Sequence, residues 1–94
     1  MAKVSDKTLS VGIIGLGGVA QAHLQAFTLL EQLTLVSVCD VRADMAEAVA
    51  HQFAAKAYTD YTKLLDAREV DLVMVLTPAS THRAIVEAVA ARGI

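Results

Sequence analysis

The chain has 94 residues, of which 55% are apolar and 4% aromatic, with a net charge of −2, a pI of about 5.8 and one cysteine. Its basic residues are scattered singly, which excludes the positive stripe of a nucleic-acid-binding domain, and no apolar run approaches the ~20 residues of a membrane span. Cys39 alone forms neither an intramolecular disulfide nor a cysteine metal cluster, so we expect no metal site and a cytoplasmic location.

Strand-like and helix-like segments alternate along the sequence. Residues 1–10 are predicted to be a flexible lead-in. Apolar and β-branched runs predict strands at 11–14, 33–39, 57–59 and 71–76, and helical periodicity predicts helices at 18–31, 43–54, 60–65 and from 80 or 81 to 91. This alternation is typical of parallel strands joined by right-handed crossovers. We therefore expect an α/β fold with a partial doubly wound parallel sheet, strand order 3-2-1-4 and helices on both faces.

A glycine-rich turn joins the first predicted strand to the first helix, in the sequence VGIIGLGGVAQAHL. Gly15, Gly17 and Ala20 form the pattern G-x-G-x-x-A. The first glycine permits a tight turn, the second lets the backbone approach a pyrophosphate, and the third small residue lets the helix pack closely on the strand. The phosphates then meet backbone amides at the positive end of the helix. In this strand–turn–helix context the pattern predicts a Rossmann-like half that binds a dinucleotide. The predicted cofactor-binding residues of the turn are Gly15, Leu16, Gly17, Gly18 and Val19.

Asp40 ends the second predicted strand, twenty residues beyond Ala20. A carboxylate at this position accepts hydrogen bonds from both hydroxyls of the adenosine ribose. At about 5 Å from a 2′-phosphate it costs on the order of 3 kcal/mol at an effective dielectric near 20, which favours NAD over NADP. Arg42 can pair with that phosphate, or it can be a solvated charge at the start of a helix. NAD is the predicted cofactor, and NADP stays open.

The sequence resembles the N-terminal domain of the Gfo/Idh/MocA oxidoreductases, which include glucose–fructose oxidoreductase and inositol 2-dehydrogenase. The resembling segments cover nearly the whole chain from residue 11 and are VGIIGLGGVAQAHL, VCDV, YTDYTKLL and DLVMVLTPASTHRAIVEAVAARG. Their most specific part combines the glycine turn with Asp-x-Val and Thr-Pro-x-x-x-His. The resemblance implies that the turn cradles the pyrophosphate and that Asp40 binds the ribose. It also implies that Thr77 and Pro78 line the nicotinamide side and that His82 lies beside the cofactor groove.

The resemblance further implies catalytic groups that these 94 residues do not contain. Members use a lysine in a Glu-Lys-Pro motif, and a later Asp or His, for proton transfer on a sugar-like alcohol. We therefore expect residues 11–94 to be an incomplete dinucleotide-binding domain, without the catalytic and substrate domain. Such a chain binds the NAD(P) of an oxidoreductase that acts on a sugar- or polyol-like CH–OH group, and it does not itself catalyse.

Two other interpretations stay open at this point. A stand-alone or engineered half-Rossmann module would self-associate without enzymatic activity, and the apolar edge strand at 71–76 predicts a homodimer. A methyltransferase-like domain that binds S-adenosylmethionine also places a glycine turn before an acid.

Overall fold

A computed structural model describes residues 8–26 and 32–94 of the chain. Residues 1–7 of the predicted lead-in, and residues 27–31 of the first predicted helix, lie outside the described residues. Strands and helices alternate in the order β1 (Leu9–Ile14), α1 (Gly18–Ala26), β2 (Leu33–Cys39), α2 (Ala43–Phe53), β3 (Lys56–Tyr58), α3 (Tyr61–Asp66), β4 (Leu72–Val75) and α4 (Ala79–Ala91). Within the described ranges, no helix is both long and apolar enough to cross a membrane.

The four strands form one parallel sheet in the order β3-β2-β1-β4. The predicted strand order 3-2-1-4 is therefore confirmed. β1 lies inside the sheet, with β2 on one side and β4 on the other. Since the chain passes from β1 to β2 and β3 in one direction and then returns to β4 on the opposite side, β1 and β4 flank the point where the strand order reverses. Ligands of open α/β sheets bind at such a point, outside the carboxyl ends of the strands.

Helices cover both faces of the sheet, as predicted. Side chains alternate along β1, so Val11 and Ile13 face one side and Ile14 faces the other. The first side carries an apolar cluster with Leu24 of α1 and with residues 46, 49 and 50 of α2. The second carries a cluster with Leu64 and Leu65 of α3 and with residue 85 of α4. Both faces are buried, which explains why the strands are nearly continuous apolar runs.

Strand β1 begins two residues before its predicted start, within the segment predicted to be a lead-in. Leu9 pairs with Leu33 of β2. The Ser10 N–H donates to the carboxylate of Asp71 at 3.0 Å, and the Asp71 N–H donates to the Ser10 carbonyl at 2.7 Å. These long-range bonds extend the sheet toward the amino end of β1, where the local sequence is no longer continuously apolar.

Other boundaries differ from the prediction by a residue or two. Helix α2 ends at Phe53, because Ala54 has a left-handed conformation (φ 55°) and its N–H donates to carbonyls of the last turn. Helix α4 begins at Ala79, directly after Pro78, whose ψ of 150° is not helical. Strand β3 occupies residues 56–58, one residue earlier than expected.

The carboxyl ends of the strands are aligned at one edge of the sheet. Ile14 lies opposite Cys39 of β2 and Val75 of β4, and Cys39 lies opposite Tyr58 of β3. Backbone bonds continue past these ends, since the Gly15 N–H donates to the Cys39 carbonyl at 2.8 Å. The residues that follow each strand are therefore brought together at this edge.

Candidate functional site

A cleft of about 1040 Å³ opens at the carboxyl edge of the sheet. It is lined by residues at and after the strand ends, by the start of α3 and by the first two turns of α4, namely 14–17, 39–41, 59–61, 76–78, 80–81 and 84–85. Its walls come from segments far apart in sequence. The cleft therefore depends on the parallel register of the strands.

Gly15 makes the turn at the end of β1. Its φ of +99° is one that L side chains rarely adopt. A Cβ atom at this position would lie 2.8 Å from the Thr77 backbone nitrogen and 2.9 Å from the Leu76 carbonyl carbon. Gly15 is therefore required both for the direction of the turn and for its close approach to the end of β4.

Gly17 precedes helix α1 and borders open space. A Cβ atom added there would have no heavy atom within 4 Å. Its carbonyl accepts the Ala20 N–H at 2.9 Å, which starts the first turn of the helix. The first N–H groups of a helix have no partner inside it, and they carry the positive end of the helix dipole. Gly17, Gly18 and Val19 thus bring backbone donors to this end of the fold.

Leu16 is anchored between the two glycines. Its side chain is 1% exposed and belongs to the apolar cluster beside α1 and α2. Its N–H donates to Oδ2 of Asp40 at 2.9 Å. Leu16 therefore lines the cleft, but its N–H is already hydrogen-bonded to Asp40.

Asp40 stands at the end of β2, half-buried and facing the cleft. Besides the bond from Leu16, its Oδ1 accepts the Arg42 N–H at 2.9 Å. The Arg42 guanidinium lies 3.8 Å from Asp44, and its side chain is 66% exposed. Arg42 is not among the described residues that line the cleft.

Thr77 and Pro78 line the cleft after β4. Among the described atoms, Thr77 Oγ1 is buried and has no hydrogen-bond partner. Buried hydroxyl groups nearly always have a hydrogen-bond partner, so this oxygen is available to bond with a ligand in the cleft. His82 lies on α4, is exposed, and is not among the described residues that line the cleft.

Two further side chains of the cleft were not assigned from the sequence. Asp60 caps helix α3, where its Oδ1 accepts the Thr62 N–H at 2.9 Å and the Thr62 hydroxyl at 2.7 Å. The hydroxyl bond, followed by the backbone bond, lowers the pKa of Asp60 below its usual 3.8. Tyr61 lies beside it on the same wall. Their position in the sequence, just after a parallel strand, is the feature from which both could have been predicted to line the cleft.

Cys39 also borders the cleft, but as a protonated thiol. Burial, together with the negative charges of Asp40 and Asp60, raises the pKa of the Cys39 thiol to about 11. The thiolate is the nucleophilic and metal-binding form. Among the described residues, no group of three or more His, Cys, Asp or Glu side chains is arranged to hold a metal ion.

The fold and the cleft define a dinucleotide-binding α/β domain. The chain matches the Gfo/Idh/MocA model, described as "Oxidoreductase family, NAD-binding Rossmann fold", over residues 9–94. The chain therefore belongs to this family. The family and the Rossmann-like fold agree with the sequence prediction, and the description of the family confirms NAD as the predicted cofactor.

Relatives of known activity match across most of this chain. A glucose-6-phosphate 3-dehydrogenase of Bacillus subtilis is 34% identical over 73 residues, which make up 78% of this chain and 20% of that enzyme. An inositol 2-dehydrogenase/D-chiro-inositol 3-dehydrogenase of Lacticaseibacillus casei is 36% identical over 81 residues, or 83% of this chain and 23% of that enzyme. The solved structure of an NAD binding oxidoreductase from Klebsiella pneumoniae has a TM-score of 0.81 and 32% identity, and covers 92% of this chain and 25% of its own. The chain thus spans about a quarter or less of the length of these proteins.

Proposed function

We propose that this chain is the NAD-binding part of an oxidoreductase that acts on a sugar- or polyol-like CH–OH group, and that the 94 residues bind the dinucleotide without catalysing. The observation that carries the proposal is the meeting of three features at one edge of the sheet. The strained Gly15 turn, the open space at Gly17 and the Asp40 carboxylate all border the same cleft.

The pyrophosphate belongs at the start of α1. The amides of Gly17, Gly18 and Val19 are the donors that the helix leaves unpaired, and the helix dipole favours an anion there. The space beside Gly17 supports this assignment, because a backbone without a Cβ lets a phosphate approach closely. Gly15 and Leu16 hold the turn in place rather than supplying the donors.

The adenosine ribose belongs at Asp40. A carboxylate there accepts the two ribose hydroxyls and disfavours a 2′-phosphate, so the proposal is for NAD in preference to NADP. Arg42 is the group that can offset this preference. Its guanidinium is largely exposed and lies near Asp44, so it is free to turn toward a 2′-phosphate.

The nicotinamide end belongs beside the end of β4. Thr77 supports this assignment because its buried Oγ1 lacks a partner, and Pro78 adds an apolar surface next to it. When bound, the nicotinamide supplies hydride exchange with the alcohol carbon of a substrate. His82 was predicted beside the cofactor groove from the family resemblance, and its exposed position on α4 gives it no contact that supports this role.

The substrate class and the lack of catalysis are drawn from the relatives and from the sequence. The two curated relatives act on a sugar phosphate and on inositols, by their names. The chain contains no Glu-Lys-Pro sequence, the motif that supplies the proton-transfer lysine in this family. We therefore expect no turnover of inositol or common sugars by the purified 94-residue chain, and measurable turnover would contradict that part of the proposal.

The binding proposal is tested by calorimetric titration with NAD⁺, NADH and NADPH in parallel. We expect NADH to bind more tightly than NADPH. Absence of heat with all three nucleotides, from a chain that circular dichroism shows to be folded, would refute the proposal.

A second candidate role is self-association through residues 71–76. β4 pairs with β1 along one side only, Leu72 is 43% exposed, and the remaining β4 side chains are half-buried. An apolar strand edge with unpaired backbone groups is a template for a second chain. We propose a homodimer formed through this edge.

Light scattering at high micromolar concentration tests the homodimer. We expect a dimer mass that Leu72→Lys reduces to a monomer mass, because a charge on an edge strand opposes pairing. Leu9→Lys is the matched control, since Leu9 is 45% exposed but lies on an inner strand. A monomer mass for the unmodified chain would contradict the role.

We also propose a cytoplasmic location. Cys39 is free and buried, so the described fold requires no disulfide and no oxidising compartment. Fractionation of cells that express the tagged chain should recover it with cytosolic markers, and recovery with the membrane or secreted fraction would count against it.

A further inference from the structure

One carboxylate joins the glycine turn to the end of a different strand. Oδ2 of Asp40 accepts the N–H of Leu16 at 2.9 Å, and Oδ1 accepts the N–H of Arg42 at 2.9 Å. Leu16 lies in the turn after β1, and Arg42 lies in the loop after β2. Asp40 therefore bridges two segments that are 24 residues apart in sequence.

The Leu16 amide needs this acceptor. It lies past the end of β1 and before the start of α1, where neither the sheet ladder nor the helix provides a carbonyl. The Cys39 carbonyl, which ends β2, already accepts the N–H of Gly15 at 2.8 Å. The Leu16 side chain is buried, so its backbone is drawn toward the interior, where an unpaired N–H is costly. A bond from an amide to an ionised carboxylate is also stronger than one to a neutral oxygen.

The two backbone bonds leave room for a ligand. An ionised carboxylate has two oxygens with about four acceptor sites, and Leu16 and Arg42 occupy one site on each oxygen. Asp40 is half-buried and lines the cleft, so a ribose bound in the cleft can reach its carboxylate. Holding the turn and accepting the ribose hydroxyls are therefore compatible.

We propose that Asp40 is a positioning residue for the phosphate-binding turn, in addition to the ribose acceptor role that rests on the proposed function. Its carboxylate holds the Leu16 amide and thereby orients the following residues, whose amides are assigned to the pyrophosphate. A substitution at Asp40 loosens the turn, so it weakens binding of nucleotides that lack the ribose hydroxyls as well.

Amide hydrogen exchange in the nucleotide-free chain tests the positioning role directly. In Asp40→Ala we expect the Leu16 amide to exchange at least tenfold faster, while the amides of Gly15 and Leu76, which donate to backbone carbonyls, change less than twofold. Asp44→Asn is the matched control and should leave all three unchanged. An unchanged Leu16 amide in Asp40→Ala overturns the proposal.

Asp40→Asn covers the case in which Asp40→Ala does not fold. Asparagine keeps the shape of the side chain but has one acceptor oxygen in place of two. Its remaining oxygen is neutral and an NH₂ group replaces the other, so we expect the Leu16 amide to exchange faster than in the unmodified chain. Protection of the Leu16 amide at the original level would overturn the proposal.

Binding of ADP and 2′,3′-dideoxy-ADP separates the two roles of Asp40. If Asp40 acts only on the ribose hydroxyls, Asp40→Ala binds dideoxy-ADP as well as the unmodified chain does, and the positioning role is refuted. We expect at least threefold weaker binding. Loss of the negative charge works in the opposite direction, because it reduces repulsion of the phosphates, so it cannot produce the weakening. If the unmodified chain binds neither nucleotide, the proposed function fails, while the exchange of the Leu16 amide still decides the positioning role.

Discussion

Replacing Gly15 by alanine tests whether the glycine turn is as constrained as the structure indicates. The substitution places a Cβ on a residue whose φ is +99°. That atom would lie 2.8–2.9 Å from the Thr77 nitrogen, the Leu76 carbonyl carbon and Thr77 Cγ2. Two of these three atoms are backbone, so the contact cannot be relieved by rotating a side chain. The turn and the end of β4 must move apart.

The expected loss of stability is the sum of two effects. An L residue in the left-handed region costs about 1–2 kcal/mol. Forcing extra volume into a packed site costs typically about 1–3 kcal/mol. The total of about 2–5 kcal/mol is a large part of the 5–15 kcal/mol typical of a native domain. At about 4–8 °C per kcal/mol for a domain of this size, Tm should fall by at least about 8 °C.

Thermal unfolding followed by circular dichroism measures this loss, and Gly17→Ala is the matched control. A Cβ at Gly17 meets no heavy atom within 4 Å, so its Tm should stay within about 4 °C of the unmodified chain. Its NADH affinity should nevertheless fall about tenfold, or 1.4 kcal/mol, because the Cβ enters the space assigned to the phosphate. A Tm for Gly15→Ala as high as that of Gly17→Ala would show that the turn tolerates a side chain at position 15.

Four further predictions follow from single contacts. Ala54→Gly should raise the free energy of unfolding by about 1 kcal/mol in urea titrations, because Ala54 is a left-handed C-cap (φ 55°); no gain would contradict this. Ser37→Ala should be neutral or stabilising by up to about 1 kcal/mol in the same assay, because the buried Ser37 hydroxyl has no partner among the described atoms. A clear loss of stability would contradict this, because it would show that the hydroxyl is hydrogen-bonded in the folded chain. Cys39 should react with a thiol reagent at pH 8 about a hundredfold more slowly than in urea, because its pKa is raised from 9.0 to about 11; equal rates would contradict its burial. The hydrogen bond from Arg92 lowers the pKa of Asp66 below 3.8 in the folded chain. The stability that this bond contributes is therefore complete above pH 3.8, and it is lost as the pH falls through the pKa of Asp66 in the folded chain. Asp66→Asn should therefore flatten the acid side of the stability–pH curve, and an unchanged slope would show that the bond contributes nothing.

The sequence alone predicts the architecture well, because local patterns carry most of it. Apolar runs separated by helical segments predict parallel strands joined by crossovers. The structure confirms the strand order and the helices on both faces. Residues that directly follow strands, such as Gly15, Asp40 and Thr77, then line the cleft because parallel carboxyl ends share one edge.

The details that sequence reasoning missed depend on register. The start of β1 at Leu9 follows from pairing with Leu33 and from the bond between Ser10 and Asp71, neither of which leaves a local pattern. Likewise, the bond from the Leu16 amide to Asp40 exists because β1 and β2 end at the same level. A pattern of residue types shows that an acid follows a strand, but it does not show which amide that acid holds.

Amide chemical-shift mapping of the 94-residue chain during titration with NADH locates the nucleotide site residue by residue. We expect the largest shifts at Gly17, Gly18 and Val19, with further shifts at Asp40 and Thr77. Residues on the far ends of the strands, such as Leu33, should be unaffected. Saturable shifts confined to the carboxyl edge of the sheet would support a dinucleotide site built on the glycine turn. Saturable shifts elsewhere, or none in a folded chain, would contradict it.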